Sequence, residues 1–147
     1  MKIGLVCSHG GHLTEIQQLR EAFEGHDVFF ITYESQRTKA LPYRKYLLDN
    51  IGTSPMRMVS ALFRIADILR KERPEIIVST GSEIAIPAFY IAKLMRIRTI
   101  FIESWCRVTT RSGTGKLVYP VSDLFLVQWP GLLELYGPRA RYVGAVI

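Results

Sequence analysis

Apolar residues in this chain fall into short unbroken runs, separated by longer stretches in which they recur every three or four positions. Residues 3–7 form the first run and lead into Ser8-His9-Gly10-Gly11-His12, the pattern of a buried strand feeding a glycine turn. Leu13, Ile16, Leu19 and Phe23 then share one face of a helix, and Val28, Phe29, Phe30 and Ile31 mark a second strand over 27–33. A polar stretch follows, with a helix expected over 37–48. Ser54 as cap and Pro55 at the first helical position open a helix over 55–73, which Pro74 stops. Residues 76–78 read as a strand entering Ser79-Thr80-Gly81-Ser82-Glu83, and a helix with Pro87 near its start runs to Leu94. A strand over 99–102, a long loop from 103 to about 115, a short helix over 116–119 and strands at 124–127 and 142–143 complete the series.

Strands that are apolar throughout and alternate with helices predict a parallel sheet covered on both faces. The expected fold is α/β: a doubly wound, Rossmann-like parallel sheet forming a single domain over 1–147. There is no internal repeat, low-complexity tract or linker.

The composition, 48% hydrophobic and 22% charged, is that of a globular protein and excludes disorder. A net charge of +6 favours anionic partners, without choosing between phosphates, nucleic acid and acidic lipid. Cys7 and Cys106 match no metal or redox spacing, which favours a buried reduced thiol at Cys7 and a cytosolic setting. No segment reaches the roughly 18 uncharged apolar residues of a spanning helix.

In open parallel sheets ligands bind at the carboxyl ends of the strands. Three loops follow strands here, at 8–15, 79–83 and 103–115, and all three are expected to open on one edge. Gly10 and Gly11 permit close backbone approach, and the N–H groups at the start of the next helix suit an anion. His12 stands at that helix start, where a neutral imidazole can take a proton from an attacking hydroxyl. A tight strand–helix turn capped by His12 fits the same residues. The dinucleotide pattern G-x-G-x-x-G is absent. Gly81 and Ser82 repeat the small-residue device, and an ordinary connection capped by Ser82 is the alternative. The third loop carries Glu103, Trp105, Arg107, Arg111 and Lys116; its cations suit a diphosphate, and an ordinary solvated loop is the alternative.

On a helical wheel for 55–73, Met58, Val59, Leu62, Phe63, Ile65, Ala66 and Leu69 form one wide apolar face, with Arg57, Arg64 and Lys71 on the other side. Core packing beneath a solvated basic face accounts for this, and so does a helix lying on an anionic membrane surface.

The segments LVCSHGGHLTE, RKERPEIIVSTGSEIAIPAFYIAKL, FIES and LVYPVSDLFLVQWPGLLELYGPRARYVG resemble the acceptor-binding subunit of the split UDP-GlcNAc transferase of asparagine-linked glycosylation. They also resemble its bacterial relatives in capsule and exopolysaccharide synthesis, the PssD type. More distantly, the three loops are similar to those in the N-terminal half of MurG, a single-chain transferase of GT-B architecture.

The resemblance implies the N-terminal half of a GT-B glycosyltransferase and a subunit inactive without a partner that holds the UDP-sugar. The acceptor would be a lipid diphosphate-linked sugar, and the setting the cytoplasmic face of a membrane, met peripherally. Eukaryotic relatives carry an N-terminal transmembrane anchor, whereas this sequence begins at its first strand, so the 55–73 helix, with Arg57, Arg64 and Lys71, is the expected substitute. By motif, Gly10, Gly11, Gly81 and Ser82, together with Arg107 and Arg111, would hold the acceptor diphosphate. His12 would be the base, with Glu103, Glu15 or Glu83 as alternative carboxylates. No metal, other cofactor or nucleic-acid partner is expected. The sequence is compatible with two other readings: a non-catalytic scaffold that recruits the true enzyme to the membrane, and a free-standing nucleotide-binding α/β protein.

Overall fold

In the computed structural model, which describes residues 1–145, the strands are β1 (Lys2–Val6), β2 (Asp27–Tyr33), β3 (Arg44–Leu48), β4 (Ile76–Ser79), β5 (Arg98–Ile102), β6 (Leu124–Val127) and β7 (Ala140–Tyr142). They form one seven-stranded sheet in the order β3-β2-β1-β4-β5-β6-β7, and every pairing is parallel. The helices are α1 (Gly11–Gln17), α2 (Gln36–Lys39), α3 (Pro55–Glu72), α4 (Ala85–Leu94), α5 (Gly113–Val118) and α6 (Leu132–Tyr136). The doubly wound α/β expectation holds.

Apolar alternation in each strand builds two cores. Phe29, Ile31, Ile77, Phe101, Phe125 and Val127 face α3, α4, α5 and α6, which contribute Ile65, Leu69, Phe89, Val118 and Tyr136. Leu5, Phe30, Val78 and Ile102 face the other way, onto Leu13 and Ile16 of α1. That second face is thinly covered, and Val28, Ile76, Ile100 and Leu126 are only half-buried against it. Inside β1, Gly4 is needed because a Cβ there would meet Phe29 at 2.8 Å and Ile77 at 3.2 Å.

Several elements differ from those expected. The helix over 37–48 is instead the four-residue α2 followed by β3: Pro42 cannot continue a helix, and residues 44–48 pair with 29–33 as the sheet's edge strand. The helix placed at 116–119 begins at Gly113, because the Ser112 hydroxyl accepts from Gly115 N and caps it. The five-residue α6 was not foreseen, being too short for its periodicity to register.

The 55–73 helix forms, with Ser54 as cap, but its buried stripe is narrower than its apolar one. Ala61, Ile65, Ile68 and Leu69 are buried, while Met56, Val59 and Phe63 are 83%, 51% and 75% exposed. Of the expected face, Val59 and Phe63 therefore point to solvent. Arg57, Arg64 and Lys71 are exposed. Arg57 and Arg64 line a groove of about 630 Å³ beside edge strand β3 with Asp49, and Lys71 lies 5.7 Å from the Tyr46 ring centroid. At the far end, Glu72 accepts from Lys2, Arg44 and Tyr46, binding α3 to β1 and β3.

Candidate functional site

The strand order reverses between β1 and β4, which are neighbours although the chain leaves them toward opposite edges. Loops after such adjacent strands diverge and leave a crevice. Here the crevice is a cleft of about 450 Å³ lined by Gly11, His12 and Glu15 from the first loop and helix, Gly81 and Ser82 from the second loop, and Ser104, Cys106, Arg107, Ser112, Gly113 and Thr114 from the third segment. The three loops thus share one cleft. A larger groove of about 870 Å³, lined by Phe23, Asp27 and Tyr43 among others, lies where β2 and β3 begin and receives none of these loops.

The first two loops are interlocked. His12 Nδ1 lies 2.9 Å from the Thr80 carbonyl oxygen, and Thr80 Oγ1 donates to the His12 carbonyl at 2.6 Å. Gly81 has φ +131°, a conformation that disfavours a side chain, and its N–H donates to Ser79 Oγ. Ser82 also has a positive φ of 78°, backbone strain of the kind that collects at binding sites. Its hydroxyl donates to Glu83, which also accepts from Tyr33 OH at 3.0 Å. Burial raises the Glu83 carboxyl, but these bonds and backbone N–H groups, that of Gly52 included, hold it below its usual value. Glu83 therefore anchors the second loop to β2. Arg37 reaches from α2 to Gly10 O, Thr14 Oγ1 and Gln17 Oε1 and braces the glycine turn from outside.

Two buried carboxylates carry the third segment. Glu15, 6% exposed, accepts from Ser104 Oγ, Trp105 N and Gln128 Nε2. Glu103, 1% exposed, accepts from Ser104 N, Ser112 N, Ser112 Oγ and Tyr136 OH. Burial and the Glu103 charge push the Tyr136 phenol well above its usual range, so it stays a donor. Trp129 Nε1 donates to Trp105 O, and the two rings lie 5.7 Å apart.

Of the expected site residues, Gly11, His12, Gly81, Ser82 and Arg107 border the cleft, and Gly10, Glu103 and Arg111 do not. Gly10 is the exposed N-cap of α1. Glu103 lies beneath the loop with both oxygens occupied by donors, a position that orders residues 103–112. Arg111 is exposed 5.9 Å from the Tyr136 ring centroid, outside the lining. Thr80 was legible only as a hydroxyl beside the second turn, not as the partner of His12, and Arg37, Gln128 and the Ser112-Gly113-Thr114-Gly115 turn were passed over. Only the turn had a legible signal, being a third small-residue turn that follows a strand and opens a helix.

Among the described residues, no helix is long and apolar enough to cross a membrane. The family described as "Oligosaccharide biosynthesis protein Alg14 like" matches residues 36–146. The UDP-N-acetylglucosamine transferase subunit ALG14 of Homo sapiens is 26% identical over 181 residues, taking in 100% of this chain and 83% of the relative. Its namesake in Yarrowia lipolytica is 38% identical over 86 residues, covering 54% of this chain and 39% of that protein. The fold superposes on MurG of Acinetobacter baumannii with TM-score 0.82 at 15% identity, over 99% of this chain and 45% of that one. A UDP-GlcNAc 2-epimerase from Methanocaldococcus jannaschii gives 0.73 at 17% identity, over 99% of this chain and 46% of that one. The sheet is thus that of one half of the GT-B architecture, and the chain belongs to the Alg14-like family of oligosaccharide biosynthesis proteins.

Proposed function

We propose that this chain is the acceptor-binding subunit of a two-component glycosyltransferase, with the UDP-sugar held by a separate catalytic subunit. A lipid diphosphate-linked sugar docks in the cleft, its charge met by Arg107 and the N–H groups of the first turn of α1, with Ser82 and Ser112 lining the same cleft. The observation that carries this reading is the convergence of all three loops on one cleft at the sheet's switch point. Half of a GT-B architecture, in a family whose relatives are named transferase subunits, supports a partner across that cleft.

His12 takes the proton of the acceptor hydroxyl as its oxygen attacks the anomeric carbon and UDP departs with the bonding electrons. The hydrogen bonds of the alternative carboxylates support His12 as the base: Glu83 and Glu103 accept from internal donors, and Glu15, although it borders the cleft, accepts from Ser104, Trp105 and Gln128. The chain meets the cytoplasmic face of the membrane peripherally through Met56, Val59 and Phe63, flanked by Arg57, Arg64 and Lys71.

In a reconstituted pair, His12→Ala is expected to leave the subunit folded and to lower turnover about 100-fold or more. Unchanged turnover removes His12 from the chemistry. The isolated chain is expected not to bind UDP-GlcNAc in calorimetry; tight binding would favour a free-standing nucleotide-binding protein. Glycine-loop variants that spare transfer would favour a scaffold.

A further inference from the structure

The contact between His12 and the second loop decides which ring nitrogen can act. Nδ1 lies 2.9 Å from the carbonyl oxygen of Thr80. A carbonyl oxygen only accepts, so Nδ1 carries the proton. A neutral imidazole has a single N–H, which leaves the lone pair on Nε2, a nitrogen with no hydrogen bond among the described residues. In free histidine the opposite tautomer predominates, so the protein imposes this one.

Thr80 is fully buried, and its hydroxyl donates to the carbonyl of His12 at 2.6 Å. One residue therefore grips His12 twice, at the ring through its carbonyl and at the backbone through its side chain. The space for the ring comes from Gly81, where a Cβ would stand 2.6 Å from Cε1 and 2.7 Å from Nδ1.

We infer that Thr80 is a positioning residue that holds His12 as the Nδ1–H tautomer, so that Nε2 receives the proton of the attacking hydroxyl. The inference rests on the reading of His12 as the base. In the step, the hydroxyl proton passes to Nε2 and Nδ1–H stays on the Thr80 carbonyl. The freed oxygen bonds the anomeric carbon of a nucleoside-diphosphate sugar, whose C–O bond to the diphosphate breaks with both electrons leaving on the diphosphate. The resulting imidazolium is stabilised at Nδ1 by the carbonyl it already bonds.

The test is ¹⁵N NMR of the full chain labelled at histidine, at a pH where the rings are neutral, with His12 identified among the 3 histidines by its loss in His12→Ala. The expected result is a protonated, pyrrole-type Nδ1 and a bare, pyridine-type Nε2. Thr80→Val keeps the side-chain volume and the backbone carbonyl but removes the hydroxyl that ties the His12 backbone to it. With the Nδ1–H contact to that carbonyl loosened, the two shifts are expected to draw toward each other as tautomers mix, and Thr80→Ser to restore them. In the reconstituted pair, Thr80→Val is expected to lower kcat at least about tenfold with KM within about twofold, and Thr80→Ser to recover it. A pyridine-type Nδ1 in the unmodified protein overturns the inference, as does a Thr80→Val protein that leaves both shifts and kcat unchanged. Turnover unaffected by His12→Ala alongside the expected shifts would refute the base assignment and leave the tautomer clamp standing.

Discussion

Replacing Glu103 by glutamine changes one buried atom and sets two arguments against each other. Oε1 faces Ser104 N–H at 3.0 Å, and Oε2 faces Ser112 N–H at 3.1 Å. Backbone N–H groups cannot reverse, so either orientation of the new amide points an NH₂ at a donor. The Ser112 and Tyr136 hydroxyls can turn to accept, but they cannot relieve that conflict. One buried N–H left without an acceptor costs about 1–3 kcal/mol, and losing charge assistance in the remaining bonds about 1 kcal/mol more. Removing a buried charge works the other way and offsets part of this, leaving about 2 kcal/mol of destabilisation. With a urea m-value of about 2 kcal/mol/M, the unfolding midpoint is expected to fall by about 1 M. Hydrogen exchange is expected to accelerate at the amides of residues 103–112, which this carboxylate holds down. A midpoint within about 0.2 M of the unmodified protein, with those amides still protected, would refute the assignment of Glu103 as the anchor of that loop.

Other expectations follow from the same kind of accounting. Burial, opposed by weaker lowering contributions from Thr32 and Arg37, pushes the Cys7 thiol up to about 12, so maleimide at pH 8 is expected to label exposed Cys106 and to reach Cys7 only in denaturant, as read by mass spectrometry. Burial raises the Glu72 carboxyl, but bonds from Arg44, Tyr46 and Lys2 outweigh it and hold the group below its ordinary 4.5. A carboxyl depressed on folding contributes stability above its unfolded pKa and loses it as pH falls through the folded one. Glu72→Gln should therefore cost about 1–2 kcal/mol at neutral pH and flatten the drop in melting temperature below about pH 4.5. Phe63→Asp together with Met56→Asp is expected to abolish sedimentation with vesicles containing anionic lipid without changing the melting temperature, because both side chains are mostly in solvent; undiminished sedimentation would remove α3 from the membrane contact.

The candidate turns were legible because each combines two local signals, an apolar run that must be a buried strand and small residues that allow a sharp exit. Gly10 to His12, Gly81 with Ser82, and the loop that begins at Glu103 are all visible on those signals. Their separate roles were not legible. Whether a carboxylate faces a cleft or lies beneath a loop depends on donors far away in sequence: Ser112 and Tyr136 for Glu103, and Ser104 and Gln128 for Glu15. The basic stripe of α3 was visible, but not the rotation of the helix about its axis. That rotation is set by the sheet beneath, which buries Ala61 and Ile68 and leaves Phe63 out.

By itself the sequence determined the alternation of apolar strands and helices, and hence a parallel doubly wound sheet, since runs apolar on both sides can be satisfied only between two layers. Tertiary structure alone decided that β1 and β4 lie side by side, bringing the carbonyl of Thr80 to the ring of His12 across 68 positions of chain. Local patterns encode which segments must be buried; strand order and the long-range hydrogen bonds it creates arise only when all segments compete for the same core.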